Sequence, residues 1–482
     1  MFQRWNARCS LLAEKFNTRS LKMIRRVLIL TFAVCLLTSC TNAPINNTNT
    51  ANINTGPTPA PTASPVQPSQ SSAQITLPLL DALLTDEKFV DRLKSNLKLN
   101  EQQIDSLKRV SNEAVASLRK SNAEDLDDSS VNPQARASEQ LNQILGADKA
   151  RELASFTNEY WSKGDPTEAS GNGGSGAPKM LKGPNAVPTD TRVVVNIPAF
   201  RMDLFQDGSL VKSYQVGIGY PQFPLPQGLR KAQTIIFNPT WTPPDSPWVA
   251  DMKNITPGET VEAGSKLNPL GPIKIPIGLP SLIHGGKSPA KIGKFASHGC
   301  VGLTNAQIKD FAMLLTKASD TNISEQTINA YLAEKDHTQT VKLENTIPVE
   351  LRYETIVLED GKLHIYKDVY AQDTNTEENL RAVLDAHGVR FDDLTEQQRT
   401  EILNALNAMS ANPTAAASPT PEASPAKKTA KAKKPAKPQN EIVIDLGTLA
   451  QKGYPAPVNL DNGSGKPVPQ KGTKTAAKSA HH

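Results

Sequence analysis

Residues 191–219 read TRVVVNIPAFRMDLFQDGSLVKSYQVGIG. From Thr191 the apolar residues change from helical spacing to a period of two, which predicts strands. Asp207-Gly208 sits between two such runs and predicts a tight hairpin. Working outward, the same signal returns in KAQTIIFNPTW (231–241) and GPIKIPIG (271–278). It returns again in IPVELRYETIVLEDGKLHIYKDVY (347–370), with a second turn at Asp360-Gly361. Helices are expected after Asn305 and after Ser324. Short strands at close spacing predict a mostly β domain over 187–372, a sandwich or barrel-like sheet with short helices.

The flanks differ in character. In 76–162, Leu97, Leu99, Ile104, Leu107, Val110, Val115 and Leu118 recur at threes and fours, so this region is helical. Asn100, with Gln103 three residues on, is a helix-start signal. A second helical stretch spans about 135–161. Residues 163–186 are a Gly/Pro-rich linker. Residues 376–410 are helical again, with Leu380, Leu384, Leu394, Ile402, Leu403 and Leu406 as the apolar face and Thr395 as N-cap. Beyond 411 the chain turns Pro-, Ala- and Lys-rich through 482, a basic tail expected to be mostly disordered. Its lysines cluster at Lys427, Lys428, Lys431, Lys433, Lys434 and Lys437, and NEIVIDLGTL (440–449) is its one strand-like island. With 37 prolines, 38% hydrophobic and 5% aromatic residues, much of the chain cannot offset its ordering entropy. The net charge of +5 is too small to argue for nucleic acid.

The first forty residues bear on the compartment. Arg25 and Arg26 precede an apolar run, Val27 to Leu37, which ends in Leu37-Thr38-Ser39-Cys40. A charged start, a short apolar run and small residues make a secretory signal too short to span a bilayer. Met23 is a more ordinary start for it than Met1. The ending resembles a bacterial lipobox, which implies cleavage before Cys40 and a lipid on its sulfur. Thr41 after the cysteine then suggests a periplasmic face of the outer membrane. Residues 41–75 form a disordered tether with a root-mean-square span of roughly 30–35 Å.

This reading leaves Cys300 as the mature chain's one free thiol, because Cys9 and Cys35 leave with the signal. No intrachain disulfide partner remains, and no second cysteine supports a zinc site. Cys300 is then either a small core hydrophobe or a nucleophile. A nucleophile needs a base, an orienting group for that base, and donors for the oxyanion. His298 lies two residues away. His284 ends a separate apolar run, and Gly285-Gly286 after it allow close backbone approach. Two neighbouring strands joined by the loop 285–296 could bring its imidazole to the sulfur. A carbonyl beside His284 could fix its tautomer. Gly299 permits a sharp turn that aims the N–H groups of Gly299 and Cys300 at one point.

The stretch IHGGKSPAKIGKFASHGCVGL (283–303) resembles the active-site signature of the L,D-transpeptidases with a YkuD-type catalytic domain. The match runs through His284, Gly285, Pro289, Ile292, Gly293, Ser297, His298, Gly299 and Cys300 with spacing kept. VVVNIPAFRMDLF (193–205), FNPTWTPP (237–244) and NPLGP (268–272) resemble other segments of that family. The resemblance implies a YkuD-like fold over 187–372 and acyl transfer on peptidoglycan stem peptides. Cys300 would be the nucleophile and His284 the base. Gly299 and Cys300 would supply oxyanion N–H groups, and Ser297, His298 and Gly285 would shape the pocket. It further implies no metal or cofactor, and acylation by carbapenem-type β-lactams. One departure stands out: the family usually has Arg or Asn two residues after the cysteine, where this chain has Gly302. Lys294, Arg201 and Lys287 are cations that could stand in. Two other readings follow from the same residues: a wall-binding lipoprotein that has lost catalysis, and an enzyme attaching proteins to peptidoglycan or releasing them.

Overall fold

The computed structural model describes residues 75–120, 133–163, 179–250, 252–278, 280–411, 440–447 and 453–465. The expected signal with Cys40, almost all of the tether and the lysine cluster 427–437 lie outside the described residues.

The N-terminal region consists of α1 (Leu77–Leu84), α2 (Glu87–Leu97), α3 (Glu101–Lys120), α4 (Pro133–Leu145) and α5 (Ala147–Lys163). Asn100 starts α3 as its sequence suggests. Its Oδ1 accepts from Gln103 N–H at 2.9 Å, and Gln103 Oε1 accepts from Asn100 N–H at 3.1 Å. The apolar faces meet in one core that includes Leu80, Phe89, Leu93, Ile104, Leu107, Leu141 and Leu153. Phe89 and Tyr160 pack edge to face at 5.1 Å. This bundle docks on the β domain through polar contacts. Thr76 Oγ1 donates to the Gln222 carbonyl at 2.6 Å, Ser246 Oγ to Asp81 Oδ2 at 2.7 Å, and Gln134 Nε2 to the Tyr370 carbonyl at 3.2 Å.

The β domain begins with β1 (Arg192–Asn196), β2 (Arg201–Gln206), β3 (Ser209–Gln215), β4 (Ile218–Gly219), β5 (Gly228–Phe237), α6 (Pro247–Ala250), β6 (Ile273–Pro276) and β7 (Leu282–His284). It continues with β8 (Phe295–Ser297), β9 (Val301–Gly302), α7 (Asn305–Ala318), α8 (Glu325–Ala333) and β10 (Gln339–Arg352). Eight strands form one sheet in the order β3-β2-β1-β10-β5-β6-β7-β9, and β4 pairs with β8. The sheet curls until its two edges approach. Just after β3, Gly217 and Gly302 of β9 exchange two backbone hydrogen bonds, both 2.8 Å. Closure of this kind removes the exposed edges that invite mispairing. Val193, Val195, Ile235, Ile275, Ile283 and Val301 point into the interior, where Ile308, Phe311 and Leu315 of α7 fill the space.

The hairpin at Asp360-Gly361 has different neighbours from those its position suggests. Its strands, β11 (Ile356–Glu359) and β12 (Lys362–Tyr366), form a separate sheet with β13 (Glu441–Asp445). The helices α9 (Glu377–Ala386) and α10 (Glu396–Met409) pack on this small sheet around Leu358, Leu380, Leu384, Ile402 and Ile444. Thr395 and Gln398 form the capping box of α10. The unit covers the outer face of the large sheet, where Val194 and Phe205 meet Val357, Tyr366 and Tyr454. A buried polar network ties the two sheets together. Arg201 pairs with Asp203 and Glu359, Arg352 with Glu350 at 2.8 Å, and Tyr454 Oη donates to Asp203 at 3.1 Å. Part of the basic tail is thus folded: residues 453–465 return along β3. There the carbonyls of Val458 and Asp461 accept from Ser213 and Gln215 N–H, each at 2.9 Å.

The Asp81–Ser246 contact gives a pH dependence. Burial holds the Asp81 carboxyl up at about 6, against the hydrogen bond from Ser246, with Asp245 adding repulsion. The folded value exceeds the ordinary 3.8, so the fold favours the protonated form. Its contribution is complete below about pH 4 and is lost as pH rises through about 6. Asp81→Asn should therefore raise stability at pH 7 by about 1–3 kcal/mol and flatten the wild-type decline between pH 4 and 6. Denaturant melts of both proteins across that range measure this; parallel pH profiles would contradict it.

Candidate active site

β7 and β9 lie side by side and parallel, with Ile283 opposite Val301 and His284 opposite Gly302. Ile283 and Val301 are fully buried in the sheet interior. His284 closes β7 and Cys300 lies in the bend one residue before β9, so the two residues flank the paired positions of two adjacent strands. Backbone contacts hold the pair tightly: Leu303 N–H donates to the His284 carbonyl at 2.8 Å, and the Leu282 N–H reaches the Cys300 sulfur.

Residues 297–300 turn back so that the thiol is presented. Gly299 takes a left-handed φ of 94°, which glycine adopts freely. Ser297 Oγ clasps both ends of the Cys300 peptide: it accepts from the Cys300 N–H at 3.0 Å and donates to the Cys300 carbonyl at 2.5 Å. Ser281 Oγ donates to the Gly299 carbonyl at 2.8 Å. The Cys300 N–H, one of the two expected oxyanion donors, is thus engaged by Ser297, whose hydroxyl lies inside the turn and clamps the Cys300 backbone.

His284 is buried, and its Nδ1 lies 2.7 Å from the Gly285 carbonyl. A carbonyl can only accept, so Nδ1 carries the proton and Nε2 keeps its lone pair. The Leu270 carbonyl also lies beside the ring. That carbonyl comes from the NPLGP segment, which packs directly on the glycines after His284. A Cβ on Gly286 would lie 2.3 Å from the Pro269 carbonyl oxygen, so no side chain fits there. Gly285 is buried against Ile308 of α7 and Pro272. His298 is exposed and lies edge-on to Phe223 at 4.6 Å and Tyr220 at 5.7 Å.

The electrostatics define the resting state. Burial, then the nearby Lys287 ammonium, hold the His284 imidazole down at about 3, against the favourable Gly285 and Leu270 carbonyls. Crowding by protein pushes the half-buried Cys300 thiol above its ordinary value, while the Leu282 N–H and Lys287 pull it back. At neutral pH the pair is therefore a thiol beside a neutral imidazole. An imidazole in this state can accept a proton but does not hold a preformed thiolate.

Of the three cations considered from the sequence, only Lys287 acts on this site. Arg201 is buried on the outer face of the sheet with Asp203 and Glu359, and Lys294 is exposed. The supporting groups at Ser281, Leu282 and Leu270 act through hydroxyl or backbone atoms, so their residue types carry no signal; only the NPLGP segment could have pointed to Leu270. Among the described residues, no group of three or more His, Cys, Asp or Glu side chains is placed to hold a metal ion.

The neutral resting pair sets the thiol's reactivity. Alkylation of Cys300 should rise steadily from pH 6 to pH 9 without a plateau at low pH. Rates measured on the peptide containing Cys300 check this; full reactivity already at pH 5–6, the mark of a thiolate–imidazolium pair, would contradict it.

Residues 190–324 match the family model of the L,D-transpeptidase catalytic domain, YkuD. None of the curated proteins compared with the chain matches it. Among solved structures, the chain is similar to the catalytic domain of an E. faecium L,D-transpeptidase. The identity is 16%, covering 35% of this chain and 100% of that one, with a TM-score of 0.23. It is also similar to an L,D-transpeptidase from Mycobacterium smegmatis, at 14% identity over 34% of this chain and 58% of that one, TM-score 0.21. A third is the Ldtfm-avibactam carbamoyl enzyme, at 15% identity over 34% of this chain, TM-score 0.21; this chain spans only 49% of that one's length. The segment that matches this catalytic-domain model takes in both Cys300 and His284.

Proposed function

We propose that this protein is a peptidoglycan L,D-transpeptidase that works through a thioester on Cys300. The observation behind the reading is the parallel pairing of β7, which ends in His284, with β9, which begins just after Cys300, inside the segment that matches the family. The donor is a tetrapeptide stem ending in D-Ala. The Cys300 sulfur attacks the carbonyl that joins the L-centre of diaminopimelate to that D-Ala. His284 Nε2 takes the thiol proton as the carbon–sulfur bond forms. Gly299 N–H donates to the oxyanion. On collapse, the imidazolium returns the proton to the departing D-Ala amine, and the thioester remains. An acceptor amine then attacks, passing its proton through His284 back to sulfur, and the wall gains a crosslink.

The envelope address belongs to the same proposal. A lipid on Cys40 would hold the chain at a periplasmic membrane face, and the tether from 41 to 75 would let the domain reach the wall. Membrane fractionation of wild type against Cys40→Ala reads this directly.

Imipenem should acylate the wild type at a one-to-one ratio, seen as a mass increase on the intact protein. Cys300→Ser should abolish the adduct, and His284→Gln should slow its formation by roughly 10²–10⁴-fold, the range for loss of a positioned base. A wild type that gains no mass, or a Cys300→Ser variant that gains the same mass, would sink the reading.

A further inference from the structure

Gly302 leaves one place beside the reactive pair without a side chain. It stands opposite His284 and two residues beyond Cys300. A Cβ at 302 would lie 2.8 Å from both Cγ and Cε of Lys287 and 3.2 Å from its Cδ. The aliphatic stem of Lys287 thus occupies the volume that a side chain at 302 would take. Backbone pairing holds it there. Beyond β7 the chain stays against β9, with Lys287 N–H donating to the Leu303 carbonyl at 3.1 Å.

The stem's contact with Gly302, two residues beyond Cys300 and opposite His284, puts the head group near the reactive pair. Its charge favours ionisation of Cys300 and opposes protonation of His284 and His298. Lys291, from the same loop, opposes the charged form of Lys287. Among the described residues no carboxylate pairs with Lys287. A half-buried ammonium with no anion of its own, beside a nucleophile that must become negative, is a source of transition-state stabilisation. Its interaction grows as charge develops on sulfur.

We propose that Lys287 is a positioning residue of the acyl-transfer site, its stem filling the space left by Gly302 and its ammonium stabilising negative charge on the Cys300 sulfur. The proposal rests on the reading of Cys300 as the nucleophile and adds the source of its electrostatic support. It also accounts for the glycine at 302: a side chain there would displace the lysine from the sulfur.

The test is the rate of Cys300 alkylation by iodoacetamide, an uncharged reagent, on the full chain at pH 7, followed on the peptide containing Cys300. Lys287→Met keeps the stem and removes the charge; it should slow alkylation about three- to tenfold, as expected for loss of one nearby charge at a partly screened site. Its rate should rise with pH along a curve displaced to higher pH. Lys287→Arg should recover most of the rate. Gly302→Ala keeps the charge but pushes the stem aside, and should move the curve in the same direction as Lys287→Met. An unchanged curve in Lys287→Met, in protein with the wild-type melting temperature, would overturn the proposal. So would an Arg variant no better than the Met variant, which would indicate a packing role alone. Alkylation reads thiol ionisation only, so a wild type inert towards imipenem would count against the acyl-transfer reading while leaving this measurement intact.

Discussion

The parallel pairing of β7 with β9 is the constraint on which the site depends. Ile283 and Val301 anchor the two strands in the interior of the curled sheet. That pairing sets His284, at the end of β7, and Cys300, in the bend just before β9, on adjacent strands. A slip of one residue would bury the imidazole among aliphatic side chains and put Ile283 outside, so the hydrophobic pattern itself guards the catalytic register. Parallel neighbours cannot be joined by a tight hairpin and require a crossover. Here the crossover is the stretch between His284 and Cys300. It is used throughout: its start packs on the NPLGP segment, its middle supplies Lys287, and its end forms the Ser297 clasp on Cys300.

Several features were legible because their causes are local. The Asp207-Gly208 hairpin, the Asn100 and Thr395 helix starts and the alternating strands each depend on residues within a few positions of one another. The strand–loop–strand relation of His284 and Cys300 was also readable, since a glycine-rich connection between two apolar runs limits where they can go. The partner of the hairpin 356–366 was not. Strand propensity says that a segment fits a pleated surface, not which strand it pairs with. Its partner, 441–445, lies beyond two helices and a long low-complexity stretch. The engagement of the Cys300 N–H by Ser297 escaped for a related reason: a serine hydroxyl bonds whichever backbone group the turn presents, and the turn is set by tertiary packing. Arg201 shows the same limit. As a charge near the start of the domain it was a candidate for the site, but Asp203 beside it and Glu359 from the distant hairpin hold it on the far face.

The electrostatic design favours a quiet resting state. Burial keeps both the imidazole and the thiol neutral, which avoids holding an ion pair in a poorly solvated place. A neutral thiol is also less exposed to oxidation than a thiolate. Under the proposed function, reactivity would then depend on the substrate: a carbonyl brought to the sulfur would let bond formation and proton transfer proceed together. The outer-face unit and the helical bundle stand away from this chemistry and contribute differently. The former covers the large sheet through Val194, Phe205 and the arginine network. The latter grips the loop that carries Gln222, next to the aromatic pair beside His298.

The most direct test is muropeptide analysis of isolated sacculi incubated with purified wild type and with Cys300→Ser. The account predicts that the wild type alone releases D-Ala and produces new crosslinks joining the diaminopimelate carbonyl of one stem to an amine of another. Identical muropeptide profiles from the two proteins, on sacculi rich in tetrapeptide stems, would contradict it.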